Sequence, residues 1–158
     1  MSAIAENTLI RSSAGWRSTT QMRLERGQFP YVLSYAPGSR CMSFEKVMDW
    51  FKHPTEPNVV VVEHHKGILV ATANLEVLCG DLEFHPLEEL MPGDQLIFFK
   101  DARSLERKAC RDHQAALERA ASEVKAMYYL VGHNTSMVGL RVENTNSYVA
   151  NGLIVRGF

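Results

Sequence analysis

The 158-residue sequence holds only three cysteines, Cys41, Cys79 and Cys110, and no two are close enough for a Cys-x-x-Cys metal site. Their odd number and wide spacing argue against a disulfide framework and for a reducing compartment such as the cytoplasm. No apolar run reaches membrane-spanning length, and residues 1–10 lack the apolar stretch of a signal peptide, so neither a membrane segment nor a leader is expected. An excess of one charge sign is also missing. The formal net charge is −1, which leaves no basic footprint for nucleic acid or an anionic membrane. The six histidines are scattered. His64 and His65 are adjacent, but neighbours on a strand point to opposite faces; His53, His85, His113 and His133 show no ligand spacing. No metal or other cofactor is expected. Repeats and low-complexity tracts are absent.

The sequence is 46% hydrophobic and 22% charged, the proportions of an ordinary domain, and its length suits one domain with a real core. Residues 1–13 are small and polar with little periodicity and read as a loose extension, leaving 14–158 as the domain. Gln21–Leu24 reads as a short strand. Phe29–Tyr35 is rich in aromatic and β-branched residues and reads as another, turned by Ala36-Pro37-Gly38-Ser39 into a return strand over 41–51. Asn58–Glu63 contains four consecutive valines, Lys66-Gly67 turns it, and Ile68–Thr72 returns. Leu75–Leu78 follows, and Pro92-Gly93-Asp94 makes a tight turn into Leu96–Phe99. Residues 101–127 change character. Leu105, Ala109, Ala116, Leu117, Ala120, Val124 and Met127 stand among Arg, Lys and Glu at a spacing near three to four, which predicts an amphipathic helix. Tyr128–Val131 returns to strand. Two apolar runs then flank Asn144-Thr145-Asn146, and Asn151-Gly152 makes a second tight turn before Leu153-Ile154-Val155.

Four blocks carry a resemblance. Tyr31-Val32-Leu33-Ser34-Tyr35 before Pro37-Gly38 is similar to a "V-L-S-Y-D" strand and turn, with Ala36 replacing the Asp. Leu69 to Leu75 resembles a strand carrying T-x-x-H. Leu87 to Leu96 resembles "L-x-x-L-x-P-G-D-x-L". The terminal stretch resembles a strand, turn, "N-G" step, short apolar strand and His-Asn. In this order they resemble the Hint family, the autoprocessing domains of hedgehog proteins and inteins. The resemblance implies a mostly β, flattened horseshoe of short strands, with the helix at 101–127 as an insertion.

The resemblance also implies a reaction, and the departures bear on it. Family members begin with a nucleophile, usually Cys, that attacks the preceding carbonyl. Counting back from Thr20 places that position at or near Ala14, which has no nucleophile, although Ser12, Ser13 and Ser18 are close. In T-x-x-H, Thr72 matches but Leu75 replaces the histidine and can neither donate nor accept a proton. At the terminal His-Asn stand Arg156, permanently charged near neutral pH, and Gly157, with nothing to cyclise. The sequence is therefore expected to be a degenerate member that neither splices nor cleaves itself, serving as a structural or protein-interaction module. A partner would use the basic face of helix 101–127. The alternative is autoprocessing from a displaced serine, Ser13 above all. Either reading expects Ala14, Thr72, Leu75, Arg156 and Gly157 to gather at one place.

Overall fold

The structure, a computed structural model, describes residues 2–24, 31–53, 58–99, 121–131 and 136–157. Among the described residues, fourteen strands form one curled antiparallel sheet. They are β1 (Ile4–Ala5), β2 (Leu9–Ser12), β3 (Gly15–Ser18), β4 (Tyr31–Ala36), β5 (Cys41–His53), β6 (Val59–His64), β7 (Gly67–Thr72), β8 (Glu76–Leu78), β9 (Phe84–Pro86), β10 (Gln95–Ile97), β11 (Ala121–Tyr129), β12 (Met137–Val142), β13 (Ser147–Ala150) and β14 (Leu153–Arg156). Strand order is β10-β11-β6-β7-β1-β12-β5-β4-β2-β13-β14-β8-β9, with β3 paired to β2. The sheet curls until its two ends touch: Cys79, just after β8, bridges to Leu96 of β10, and the Gly80 amide donates to the Gln95 carbonyl at 2.8 Å. Curling shields the edges that a flat sheet of this size would leave open.

The apolar patterns explain which faces turn inward. Val59, Val60, Val61 and Val62 of β6 are all buried, as expected for a strand covered on both faces. The larger core cluster includes Ile4, Ile10, Val60, Val62, Leu69, Leu75, Leu96, Leu140 and Val155; a second holds Leu33, Tyr35, Leu78, Ile97, Val149 and Ile154. Each large aliphatic among them contributes about 1.5–3 kcal/mol by leaving water. The two Asn turns form as their chemistry predicts. Asn144 and Asn146 have φ of 66° and 52°, and Asn151-Gly152, at 48° and 85°, joins β13 to β14 as a two-residue hairpin loop.

Several sequence expectations change. Residues 4–5 and 9–12 are strands within the sheet, not a loose extension; β1 is only two residues long, too short to show periodicity, and its place comes from pairing with β7 and β12 on either side. Thr19–Leu24 is a short helix, α1, where a strand was expected at 21–24. Residues 101–120 of the predicted helix lie outside the described residues. Residues 121–127 are strand, with burial alternating along Ala121 to Lys125 at the strand period of two. Pairing with β6 and β10 there overrides the helix-forming composition. Cys41 is disulfide-bonded, which the spacing argument did not expect; separation along the chain sets no limit on which sulfurs a fold brings together. Cys79 is free and buried. No helix among the described residues is long and apolar enough to cross a membrane.

Candidate functional site

The site forms where β1, β7, β12 and β14 converge. Ile4 faces Ala71 of β7 on one side and Val138 of β12 on the other, which fixes the two residues before it. The Ala3 amide donates to Thr72 Oγ1 at 2.9 Å, and the Thr72 amide donates to the Ala3 carbonyl at 2.9 Å. Thr72 is buried and grips the start of the chain through both its backbone and its hydroxyl. The Leu75 amide donates to the Thr72 carbonyl at 3.1 Å, closing a turn that sends the Leu75 side chain into the core with no exposed surface.

Ser2 occupies the centre. It is 5% exposed. Its carbonyl oxygen lies 3.0 Å from where a β-carbon on Gly139 would sit, and its hydroxyl 3.2 Å from the corresponding point on Gly157. Two glycines thus leave the room that Ser2 fills. Gly157 is held by one side chain: Asn146 Nδ2 donates to the Gly157 carbonyl at 2.7 Å, while Asn146 Oδ1 accepts from the Val142 amide at 3.1 Å. The Gly157 amide in turn donates to the Asn146 carbonyl at 3.0 Å.

Thr72 holds Ala3, Leu75 closes the turn at Thr72, and Gly157 lies beside Ser2, while the Arg156 side chain is engaged elsewhere. Its Nε and Nη2 donate to the two carboxylate oxygens of Glu76 at 3.1 and 3.2 Å, and its guanidinium stacks 4.3 Å above the Phe84 ring. A bidentate ion pair plus stacking makes Arg156 a fastener between β14 and β8. Ala14 and Ser13 do not join the site. They lie in the exposed β2–β3 turn, where the Ser13 amide donates to the Tyr31 carbonyl and the Ala14 amide to Ser12 Oγ. Thr20, from which Ala14 was counted, belongs to α1. The serine next to the residue that Thr72 grips is Ser2. Its signal in the sequence was faint: one small polar residue before an Ile-Ala pair too short to read as a strand.

Chemically the site is quiet. Ser2, Thr72, Leu75 and Asn146 supply hydroxyls, an amide and an alkyl group, none of which changes charge near neutral pH. Cys41, Cys79, His64, His65 and His85 lie outside it. The buried Cys79 thiol is pushed up to about 12 by burial and by Asp81 and Asp94, so it stays protonated. His85 pairs with Asp81 at 2.8 Å, His65 with Glu123 at 3.2 Å, and His64 with Ser122 at 2.7 Å. Among the described residues no three His, Cys, Asp or Glu side chains gather as a metal site.

No protein-family model matches the sequence, and no curated protein matches it. Solved structures match in fold along the whole chain. The DnaB intein from Synechocystis sp. PCC 6803 superposes with a TM-score of 0.74 at 16% identity, covering 100% of this chain and 99% of that one. The bacterial intein-like domain from Clostridium thermocellum gives 0.73 at 14%, covering 99% of each chain. The DnaX mini intein from Spirulina platensis gives 0.73 at 17%, covering 98% and 99%. The chain has the Hint fold of inteins.

Proposed function

We propose that this Hint-fold domain does not splice or cleave itself and serves as a structural or protein-interaction module. One observation carries the reading: where the resemblance implies a proton-donating histidine, Leu75 is sealed in the core beside Thr72. Expelling a peptide amine needs a proton at the leaving nitrogen, and no described side chain at the site can supply it near neutral pH. Gly157 adds to this, since it has no side-chain amide that could attack its own carbonyl. Groups that act together in one site are not replaced singly, so the loss of both leaves little rate. The test is an intact mass of the chain carrying an added N-terminal flank, before and after incubation with hydroxylamine; the flank stays attached.

A second reading keeps autoprocessing and moves it from Ser13 to Ser2. It is favoured by the Ser2 hydroxyl being buried at the meeting point of both chain ends, with Ala3 pinned by Thr72. In that reaction Ser2 Oγ bonds to the carbonyl carbon of residue 1, the peptide C–N bond breaks, and the hydroxyl proton passes to the freed Ser2 amine. The product is an ester, which hydroxylamine cleaves. Ser2→Ala must then abolish release of the flank, while Ser13→Ala must not.

A further inference from the structure

His64, at the end of β6, belongs to none of the site above and is 3% exposed. Its Nδ1 lies 2.7 Å from Ser122 Oγ near the start of β11, and the same oxygen accepts the Lys66 amide at 3.2 Å. One hydroxyl thus ties the β6–β7 turn to β11, and through the pairing of Ser122 with Leu96 to β10 as well. The other ring nitrogen, Nε2, is buried without a partner, and the ring tilts against Phe98 with centroids 5.9 Å apart. Gly67 closes over it; a β-carbon there would sit 3.8 Å from Nε2.

The charges around this ring oppose a proton on it. His65 and Lys66 flank it in the turn, and Lys66 Nζ sits 5.1 Å above the Phe98 ring. The nearby carboxylates are engaged: Glu63 accepts the Tyr128 hydroxyl at 3.1 Å, and Glu123 of β11 pairs with His65. Lys125 of β11 adds a further positive charge to that strand. From β10 onward Phe98 offers only its ring. A second proton on His64 would place a cation in a buried position with one acceptor, Ser122 Oγ, and an Nε2–H that has none.

We propose that His64 and Ser122 form an acid-released latch that holds the β6–β7 turn to β11 and opens when the imidazole is protonated. The direction follows from linkage. Burial, His65 and Lys66 lower the closed-state value from 6.5 to about 4, so the open form binds more protons between these limits. The latch is intact above about pH 6.5, weakens as pH falls, and is fully weakened below about pH 4. The shift corresponds to an opening equilibrium raised about a hundredfold at pH 4 relative to pH 7.

Amide hydrogen exchange on the full chain, corrected for intrinsic chemistry, tests this at pH 7, 5.5 and 4. The expected result is an acceleration of about a hundredfold at His65, Lys66 and Ser122, with β4, β5 and β12 unchanged. In His64→Phe, which keeps a ring against Phe98 but cannot titrate, the pH step disappears. Glu123→Gln, which removes the neighbouring ion pair, leaves it. The same step in His64→Phe, or no step in the natural chain, overturns the latch. If His64→Phe does not fold, NMR titration of the natural chain decides. A His64 midpoint near 4, coincident with loss of protection in the turn, supports the latch, and a midpoint near 6.5 overturns it.

Discussion

The Ser2 hydroxyl lies 3.2 Å from the point where a side chain on Gly157 would begin, so the first and last described parts of the chain lie side by side. A β-carbon at that point would be closer than ordinary packing allows, and one on Gly139 would sit 3.0 Å from the Ser2 carbonyl oxygen. Gly157→Ala is expected to destabilise the domain by about 1 kcal/mol. The same change in a Ser2→Gly background should cost less, because the atom in the way is gone. Urea denaturation of the four proteins of this double-mutant cycle gives the coupling directly.

Gly152→Ala should be far more severe. A β-carbon there would lie 2.3 Å from one Phe98 ring carbon and 2.8 Å from the Phe99 carbonyl oxygen, at a φ of +85°. Backbone strain and a forced shift of Phe98 together cost about 2 kcal/mol or more. A drop in urea midpoint smaller than that of Gly157→Ala would contradict the packing described for the β13–β14 hairpin.

These two glycines differ in how plainly the sequence announced them. Asn151-Gly152 between two apolar runs is a hairpin signal that local chemistry alone can decode, as were the four valines of β6 and the Tyr31–Tyr35 strand. Ser2 is not legible as a site residue because β1 is two residues long and owes its position to neighbours on both sides. The Ala121–Met127 segment misled differently: alanine and charge favour a helix locally, while pairing to β6 and β10 decides for strand. Thr72 and Leu75 were legible because their strand carries a resemblance, yet the roles of Asn146 and Glu76 appear only when distant strands are brought together.

Ser147→Ala tests the buried hydroxyl network behind the Asn144–Asn146 turn. Ser147 Oγ donates to the Tyr35 carbonyl at 2.8 Å, accepts the Tyr35 amide at 2.9 Å, and lies 2.9 Å from Ser34 Oγ. Removing it leaves a buried donor and acceptors unmet, at a cost of about 1–3 kcal/mol. Thermal unfolding should show the loss, with Ser147→Thr no substitute if the added methyl does not fit.

Leu75→His returns a titratable ring to the Thr72 turn, but into a core with no exposed surface. Loss of packing and burial of a polar ring should cost about 2–4 kcal/mol at neutral pH. Burial would hold the new imidazole below its ordinary value, so the unfolded chain binds the proton more readily and the penalty grows as pH falls below about 6.5. Stability measured at pH 8 and pH 5.5 should therefore diverge further in Leu75→His than in the unsubstituted chain.

We propose that the site around Ser2 and Thr72 lacks the groups to break a peptide bond. This is tested most directly by intact-mass measurement of the chain with an added N-terminal flank, incubated at neutral pH with and without hydroxylamine. One unchanged mass is expected under both conditions. Release of the flank at the amide nitrogen of Ser2, dependent on hydroxylamine and abolished by Ser2→Ala, would contradict it and make Ser2 a working nucleophile.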